Sequence, residues 1–163
     1  MPIGKRSINR VSQLEEYLNA EKVWHRFIEK EETVHTKDAS QATGIELHRI
    51  TKNLACQTSD GEYVLLIIPG DRRVNLKAAA EALKVKNVSL LAPNKSEDVT
   101  GYPPGGTPSI GHKIRMRVVF DSCLLNFETV FCGGGSKKRL LELRTEDILK
   151  KTGAIVAEIC SSA

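Results

Sequence analysis

Long hydrophobic runs are missing from this sequence. The longest, Val64-Leu65-Leu66-Ile67-Ile68, falls far short of the roughly 20 apolar residues needed to cross a bilayer, so no membrane span is expected. The start, Met1-Pro2-Ile3-Gly4-Lys5-Arg6, is polar and basic with no apolar stretch behind it. That excludes a secretory signal and predicts a cytoplasmic protein. Its four cysteines, Cys56, Cys123, Cys132 and Cys160, are widely scattered and read as reduced thiols. No pair of Cys or His has zinc-ligand spacing, with His25, His35, His48 and His112 far apart, so neither a metal nor another cofactor is expected. Gly133-Gly134-Gly135-Ser136-Lys137 lacks the G-x-x-x-x-G-K-[ST] spacing of a triphosphate loop. No G-x-S-x-G elbow marks a serine hydrolase. Cys123 or Cys132 paired with a histidine would make a nucleophile, but a buried, inert thiol is the commoner outcome. Aromatics are sparse: one Trp, three Tyr and four Phe.

What is present suits an ordinary globular chain. Its 163 residues fit one domain and bury roughly 70% of the unfolded surface without a staple. The net charge of +4 is too mild to mark a nucleic-acid binder. Basic groups nevertheless cluster at Arg72-Arg73, Lys113-Arg115-Arg117 and Lys137-Lys138-Arg139, while Glu29–Glu32 is mostly acidic. Near a pocket such groups attract a phosphate backbone; elsewhere they are a solvated face.

The patterning mixes strands and helices. Ser12 followed by Glu15 predicts a capping box for a first helix carrying Val11, Leu14 and Leu18. Strands are expected at Val23–Ile28, Asn53–Gln57, Tyr63–Pro69, Val88–Leu91, Ile114–Phe120, Thr129–Phe131, Leu140–Leu143 and Ala154–Ile159. Asp60-Gly61 between two of them is a hairpin signal. Helices are expected over residues 37–43, with Gly44 as left-handed cap, and after Asn75, with Leu76, Ala79, Ala80 and Leu83 on one side. A short polar helix is expected near Asn94–Val99. A last one follows Thr145 as cap, with Glu146 and Asp147 in the first turn and Gly153 at its end. Strict alternation is absent and hairpins are present, which favours an α+β fold with a mixed sheet.

Two loops stand out. Gly101-Tyr102-Pro103-Pro104-Gly105-Gly106-Thr107-Pro108-Ser109-Ile110-Gly111 combines residues that fix φ with residues that let bare backbone approach a ligand. Such a loop either grips a carbonyl oxygen or oxyanion with its N–H groups or is a plain surface turn. Gly133–Gly135 is either a second place for backbone to meet substrate or a loose hairpin tip. Lys52, at a strand start, is either solvated or a point charge for phosphate at a pocket mouth.

These pieces, in this order, resemble the YbaK/prolyl-tRNA synthetase-associated editing-domain family. The resemblance is carried by Ile50-Thr51-Lys52-Asn53-Leu54, by Ile68-Pro69-Gly70-Asp71-Arg72-Arg73 with Asn75-Leu76-Lys77, and by Thr100-Gly101-Tyr102 leading into Gly105-Gly106. Phe131 through Gly135 and Thr152-Gly153-Ala154 with Val156-Ala157 complete it, so that it spans roughly residues 22 to 160. It implies a mixed, barrel-like sheet flanked by helices, residues 1–21 forming a helix packed on a single editing domain of residues 22–163. The implied activity is hydrolysis of the ester joining an amino acid to the terminal adenosine of tRNA, acting in trans on tRNA for proline carrying alanine or cysteine. It needs no metal, because an aminoacyl ester is already activated towards water or the ribose 2′-hydroxyl.

By the same resemblance Gly105 and Gly106 hold the ester carbonyl and Lys52 the terminal nucleotide. Tyr102, Thr107, Pro108, Ser109, Gly133, Gly134 and Gly135 bind substrate, with Tyr102 as a stacking platform. Arg72, Arg73, Lys137 and Lys138 meet the tRNA backbone, and prolyl-tRNA synthetase is a second candidate partner. Three positions depart from the family pattern. Ser109 stands where a proline is usual, Asn53 where Ser or Thr commonly follows the lysine, and Leu140 where some members are acidic. They bear on substrate preference. Two other readings stay open: a catalytically silent tRNA-binding or synthetase-partner module on the same fold, and a metal-free hydrolase of a small free ester or thioester.

Overall fold

The computed structural model describes residues 3–161, and side chains from residue 11 onward. The organising element is the strand β3, Tyr63–Pro69, whose residues Val64 to Ile68 are all fully buried. Side chains alternate across a strand with period 2, so β3 feeds two cores at once. Leu65 and Ile67 point into one, with Leu14, Leu18, Phe120, Leu141 and Leu143. Val64, Leu66 and Ile68 point into the other, with Ala79, Ala80, Leu83 and Val119. A run that is apolar on both faces is what a central, doubly covered strand requires.

Around β3 lies a five-stranded mixed sheet in the order β5-β2-β3-β6-β9. Its members are β2 (Thr51–Thr58), β5 (Val88–Leu90), β6 (Arg117–Asp121) and β9 (Ile155–Ala157). β2 runs antiparallel to β3 and β5, whereas β3, β6 and β9 run parallel. A second, antiparallel sheet orders β1 (His25–Glu29), β8 (Arg139–Arg144) and β7 (Thr129–Gly133). The two meet at a single parallel bridge, Ile50 to Phe131, which gives a barrel-like but open arrangement. A two-stranded ribbon pairs β4 (Arg73–Val74) with β10 (Cys160–Ser161).

Helix α1, Ile3–Ala20, packs Leu14 and Leu18 into the first core, and α3, Leu76–Leu83, packs its alanines into the second. Asn75 caps α3 as expected, its side-chain oxygen accepting from Ala78 N at 3.1 Å. Helices α2 (Thr36–Thr43), α4 (Pro93–Thr100) and α5 (Thr145–Thr152) each end on a left-handed glycine: Gly44, Gly101 and Gly153. Among the described residues no helix is long and apolar enough to cross a membrane.

Four details differ from the sequence-based expectation. α1 begins about two turns before Ser12, so Ser12 sits inside the helix and caps nothing. Thr145 is the first residue of α5 rather than its cap, because its hydroxyl donates to Phe127 O at 2.6 Å. β6 starts at Arg117, not Ile114, since Lys113 N and Ile114 N donate to the Thr100 and Val99 carbonyls at the end of α4. The last strand is broken in two: Ile159 N donates to the buried Asp121 carboxylate at 2.9 Å, which diverts the chain between β9 and β10.

Candidate functional site

A cleft of about 930 Å³ opens where the N-terminal half of β2 leaves the cover of β5. Its floor is a third, small apolar cluster of Ala39, Ile50 and Leu140. One wall is the turn after β3, Gly70 to Arg73; the opposite wall joins Pro104, Gly105, Thr107 and Gly133. A strap of residues 33–37 closes a third side.

The strap is tied at both ends. Thr33 N donates to Lys137 O at 3.1 Å and Lys30 N to Lys138 O at 2.9 Å. At the other end, the Thr36 hydroxyl donates to Gly70 O at 3.0 Å. Gly70 has to be glycine because a Cβ there would run into the carbonyl oxygens of Ile50 and Leu47. That close approach seats the turn carrying Arg72 and Arg73 against the end of β2.

Lys52 lies in the cleft and donates from Nζ to Arg72 O at 2.7 Å. Its ammonium is thus held against the turn with two N–H groups left for a ligand. Lys37, Arg72 and Arg73 complete a basic lining, and Asp71 adds the one acidic side chain among the lining residues. Asp71 Oδ1 is buried without a hydrogen-bond partner.

The proline- and glycine-rich loop is rigid for reasons that can be read bond by bond. Gly106 N donates to Pro103 O at 2.9 Å, closing a turn with Pro104 and then Gly105 at φ +84 in its centre; this is the sequence a type II turn demands. The Thr107 hydroxyl donates to the same Pro103 carbonyl, and Tyr102 OH donates to Gly111 O at 3.2 Å. His112 Nε2 donates to Pro108 O at 2.6 Å, and burial pushes its pKa down to about 4, so the ring stays neutral.

The two glycine loops pack on each other. Gly135 N donates to Gly106 O at 2.9 Å and Gly133 N to Thr107 O at 3.1 Å. A Cβ on Gly133 would overlap the main chain of Gly106 and Thr107, and one on Gly106 would lie 2.9 Å from Ser136 C.

The cleft therefore brings together six of the residues expected from the sequence: Lys52, Arg72, Arg73, Gly105, Thr107 and Gly133. The others take different places. Tyr102 is a core residue, 3% exposed, with burial pushing its hydroxyl up to about 12, so it offers no platform to a base. Gly106 has both its N–H and its carbonyl engaged within the protein, which removes it as a donor to an ester. Pro108 and Ser109 are buried outside the cleft lining, and Gly134 and Gly135 face Arg139 and Leu14. Lys137 and Lys138 act through their carbonyls, which anchor the strap. Arg139, counted with them as a basic cluster, is buried, with its guanidinium over the Phe27 ring at 3.6 Å and bonded to Gly134 O and Glu15.

No thiol serves the cleft. Burial holds Cys132 up at about 11 and Cys56 at about 12, and burial next to Asp121 raises Cys123. Among the described residues no group of three His, Cys, Asp or Glu could hold a metal ion. Nothing in the residue pattern marks the strap, since Thr33-Val34-His35 shows no periodicity. Asn53, expected to bear on substrate preference, takes a definite place. In the fold, Asn53 and Thr51 line the cleft and Ser109 OH donates to Asn53 Oδ1 at 2.7 Å.

Comparison with known proteins follows the same lines. Residues 30–151 match the family model described as the aminoacyl-tRNA editing domain. A protein of Enterococcus faecalis named as a candidate Cys-tRNA(Pro)/Cys-tRNA(Cys) deacylase, EbsC, is 29% identical over 83% of this chain and 82% of its own. The proline–tRNA ligase of Geobacter metallireducens is 28% identical over 82% of this chain and 23% of the ligase. Among solved structures, a candidate trans-editing enzyme for prolyl-tRNA synthetase superposes with a TM-score of 0.82 at 25% identity, covering 94% of this chain and 98% of that one. The family model spans most of the chain, including the strap, Lys52, the Gly105 turn and the glycine triplet: the chain belongs to the aminoacyl-tRNA editing domain family.

Proposed function

We propose that this protein is a trans-acting deacylase that hydrolyses mischarged tRNA for proline carrying alanine or cysteine. The observation that carries the reading is the cleft's combination of parts. A tethered ammonium, Lys52, and a rim of Lys37, Arg72 and Arg73 stand beside the Gly105 N–H, which has no hydrogen-bond partner among the described residues. A basic rim holds the phosphates of a single-stranded end, and an unengaged N–H in a rigid turn suits an oxyanion. The apolar floor of Ala39, Ile50 and Leu140 suits a small side chain.

The chemistry asks little of the protein. Water, or the neighbouring ribose 2′-hydroxyl, adds to the ester carbonyl carbon. The tetrahedral oxyanion is held by N–H donors. The bond to the ribose 3′-oxygen then breaks, and that oxygen takes up the proton. Where the 2′-hydroxyl attacks, the acyl group migrates and water completes its release. Lys52 binds and orients the terminal nucleotide through charge, and the closed loop keeps the N–H in place at no cost when charge develops. Residues 22–163 are read as one editing domain with the preceding helix packed on it.

One observation favours a second reading, a silent tRNA-binding or synthetase-partner module: the Gly106 N–H is engaged by Pro103 O, leaving a single backbone donor of the expected pair. Comparing wild type with Lys52→Ala and Lys52→Arg on mischarged tRNA for proline separates the two. Deacylation that is lost in Lys52→Ala and partly kept in Lys52→Arg supports the enzyme. Binding of tRNA with hydrolysis no faster than in buffer supports the silent module.

A further inference from the structure

The cleft meets β2 along an edge that β5 leaves uncovered. Leu91 N donates to Ala55 O at 3.0 Å, and the β2–β5 register ends at Cys56 opposite Leu90. Carried three residues past that last pair, the same register would set Asn53 against Pro93, which has no N–H and already belongs to α4. Main-chain groups face alternate edges with period 2, so Asn53 presents its backbone on the same edge as Ala55, facing the cleft it lines.

The Asn53 side chain is fixed as firmly. The Phe131 carbonyl can only accept, so Thr51 OH donates to it, at 3.0 Å. Thr51 Oγ1 then accepts from Asn53 Nδ2 at 2.9 Å, which turns Asn53 Oδ1 towards Ser109, whose hydroxyl donates at 2.7 Å. The chain of bonds has one direction only, set by a backbone carbonyl at one end and by a fully buried serine at the other. One Asn53 N–H is used on Thr51 Oγ1. The second has only the Thr51 carbonyl, at 3.4 Å, as a protein partner, beyond the usual hydrogen-bond range. Ser109 is itself held, its N–H directed at Cys132 Sγ at 3.4 Å.

We infer that Asn53 donates this remaining amide N–H to an oxygen of the bound aminoacyl ester, taking the part Gly106 cannot play, and that Ser109 is the positioning residue that holds Asn53 in that orientation. The inference rests on the deacylase reading for its substrate. Two departures from the family pattern, 56 residues apart in sequence, thereby act as one unit. Without the Ser109 hydroxyl, Asn53 keeps Thr51 but is free to swing about χ2, and the donor is no longer pre-aimed.

Two measurements test this. The first is a double-mutant cycle of Asn53→Ala and Ser109→Ala, read as kcat and KM on a mischarged tRNA that wild type hydrolyses. Ser109→Ala is expected to lower kcat roughly tenfold, the size of one oriented hydrogen bond, with KM within about twofold. In the Asn53→Ala background the same change is expected to cost nothing more. Equal losses in both backgrounds, or a change in KM alone, would overturn the positioning role. The second follows the Asn53 side-chain amide by NMR while adding an adenosine whose 3′-oxygen is replaced by an amide-linked alanine. A shift of that resonance in wild type, reduced in Ser109→Ala, supports the contact, and no shift at saturation or no binding overturns it. Wild type that binds the analogue and shifts Asn53 but hydrolyses no tRNA refutes the deacylase reading while leaving the contact standing.

Discussion

Gly133→Ala is the substitution that most sharply separates a glycine kept for packing from one kept for flexibility. Gly133 lies in β7 and is not among the residues with positive φ, so alanine can adopt its backbone without strain. All of the effect is steric. The added methyl would meet Gly106 C, with Thr107 N at 2.5 Å and Gly106 Cα at 2.7 Å, distances at which backbone has to move. Moving the loops apart breaks Gly133 N to Thr107 O and Gly135 N to Gly106 O. Overpacking costs about 1–3 kcal/mol and the two hydrogen bonds about 1 kcal/mol each, so a loss of about 3–5 kcal/mol is expected. For a chain of this size that lowers Tm by about 6–20 °C. Gly61→Ala is the control: φ is +88 but a Cβ meets nothing within 4 Å, so only backbone strain of about 1 kcal/mol applies. Urea unfolding of both variants decides the matter. A Gly133→Ala protein no less stable than Gly61→Ala would refute the claim that the two glycine loops are held by direct backbone contact.

Three further outcomes follow from the same geometry. His112 is depressed to about 4 by burial, so between about pH 4 and its unfolded value near 6.5 the unfolded chain binds more protons. Stability should therefore rise with pH across that window, by up to about 3 kcal/mol, and His112→Gln should flatten the curve measured by denaturant titration. Arg139→Met removes the bonds to Gly134 O and Glu15 and the stack on Phe27; a loss of about 3 kcal/mol is expected in thermal unfolding. Arg73→Ala, at the exposed rim of the cleft, should lower the salt slope of tRNA binding by about 1 in a fluorescence titration.

Much of the scaffold was legible because it is written in local rules. The doubly apolar run of β3, the Asn75 cap and the left-handed glycines 44 and 153 each carry their cause within a few residues. The errors at Ser12 and Thr145 arose where tertiary structure overrode a local cap: α1 extends past the serine, and the threonine hydroxyl finds the Phe127 carbonyl 18 residues away. Within the site, Lys52 and Gly105, singled out by a charge and by a glycine turn, do line the cleft. The strap could not be picked out, because its ties to Lys137, Lys138 and Gly70 span about 34 to 108 residues of chain. Nor could the partnership of Ser109 with Asn53. A glycine triplet reads the same whether it faces substrate or another loop, and only the Cβ clash at Gly133 tells them apart.

The most direct test of the central claim is a single-turnover assay of wild-type protein on tRNA for proline charged separately with alanine, cysteine and proline. The account predicts rapid release of alanine or cysteine, well above the buffer rate, with prolyl-tRNA left intact. Hydrolysis of none of the three above the buffer rate would contradict it.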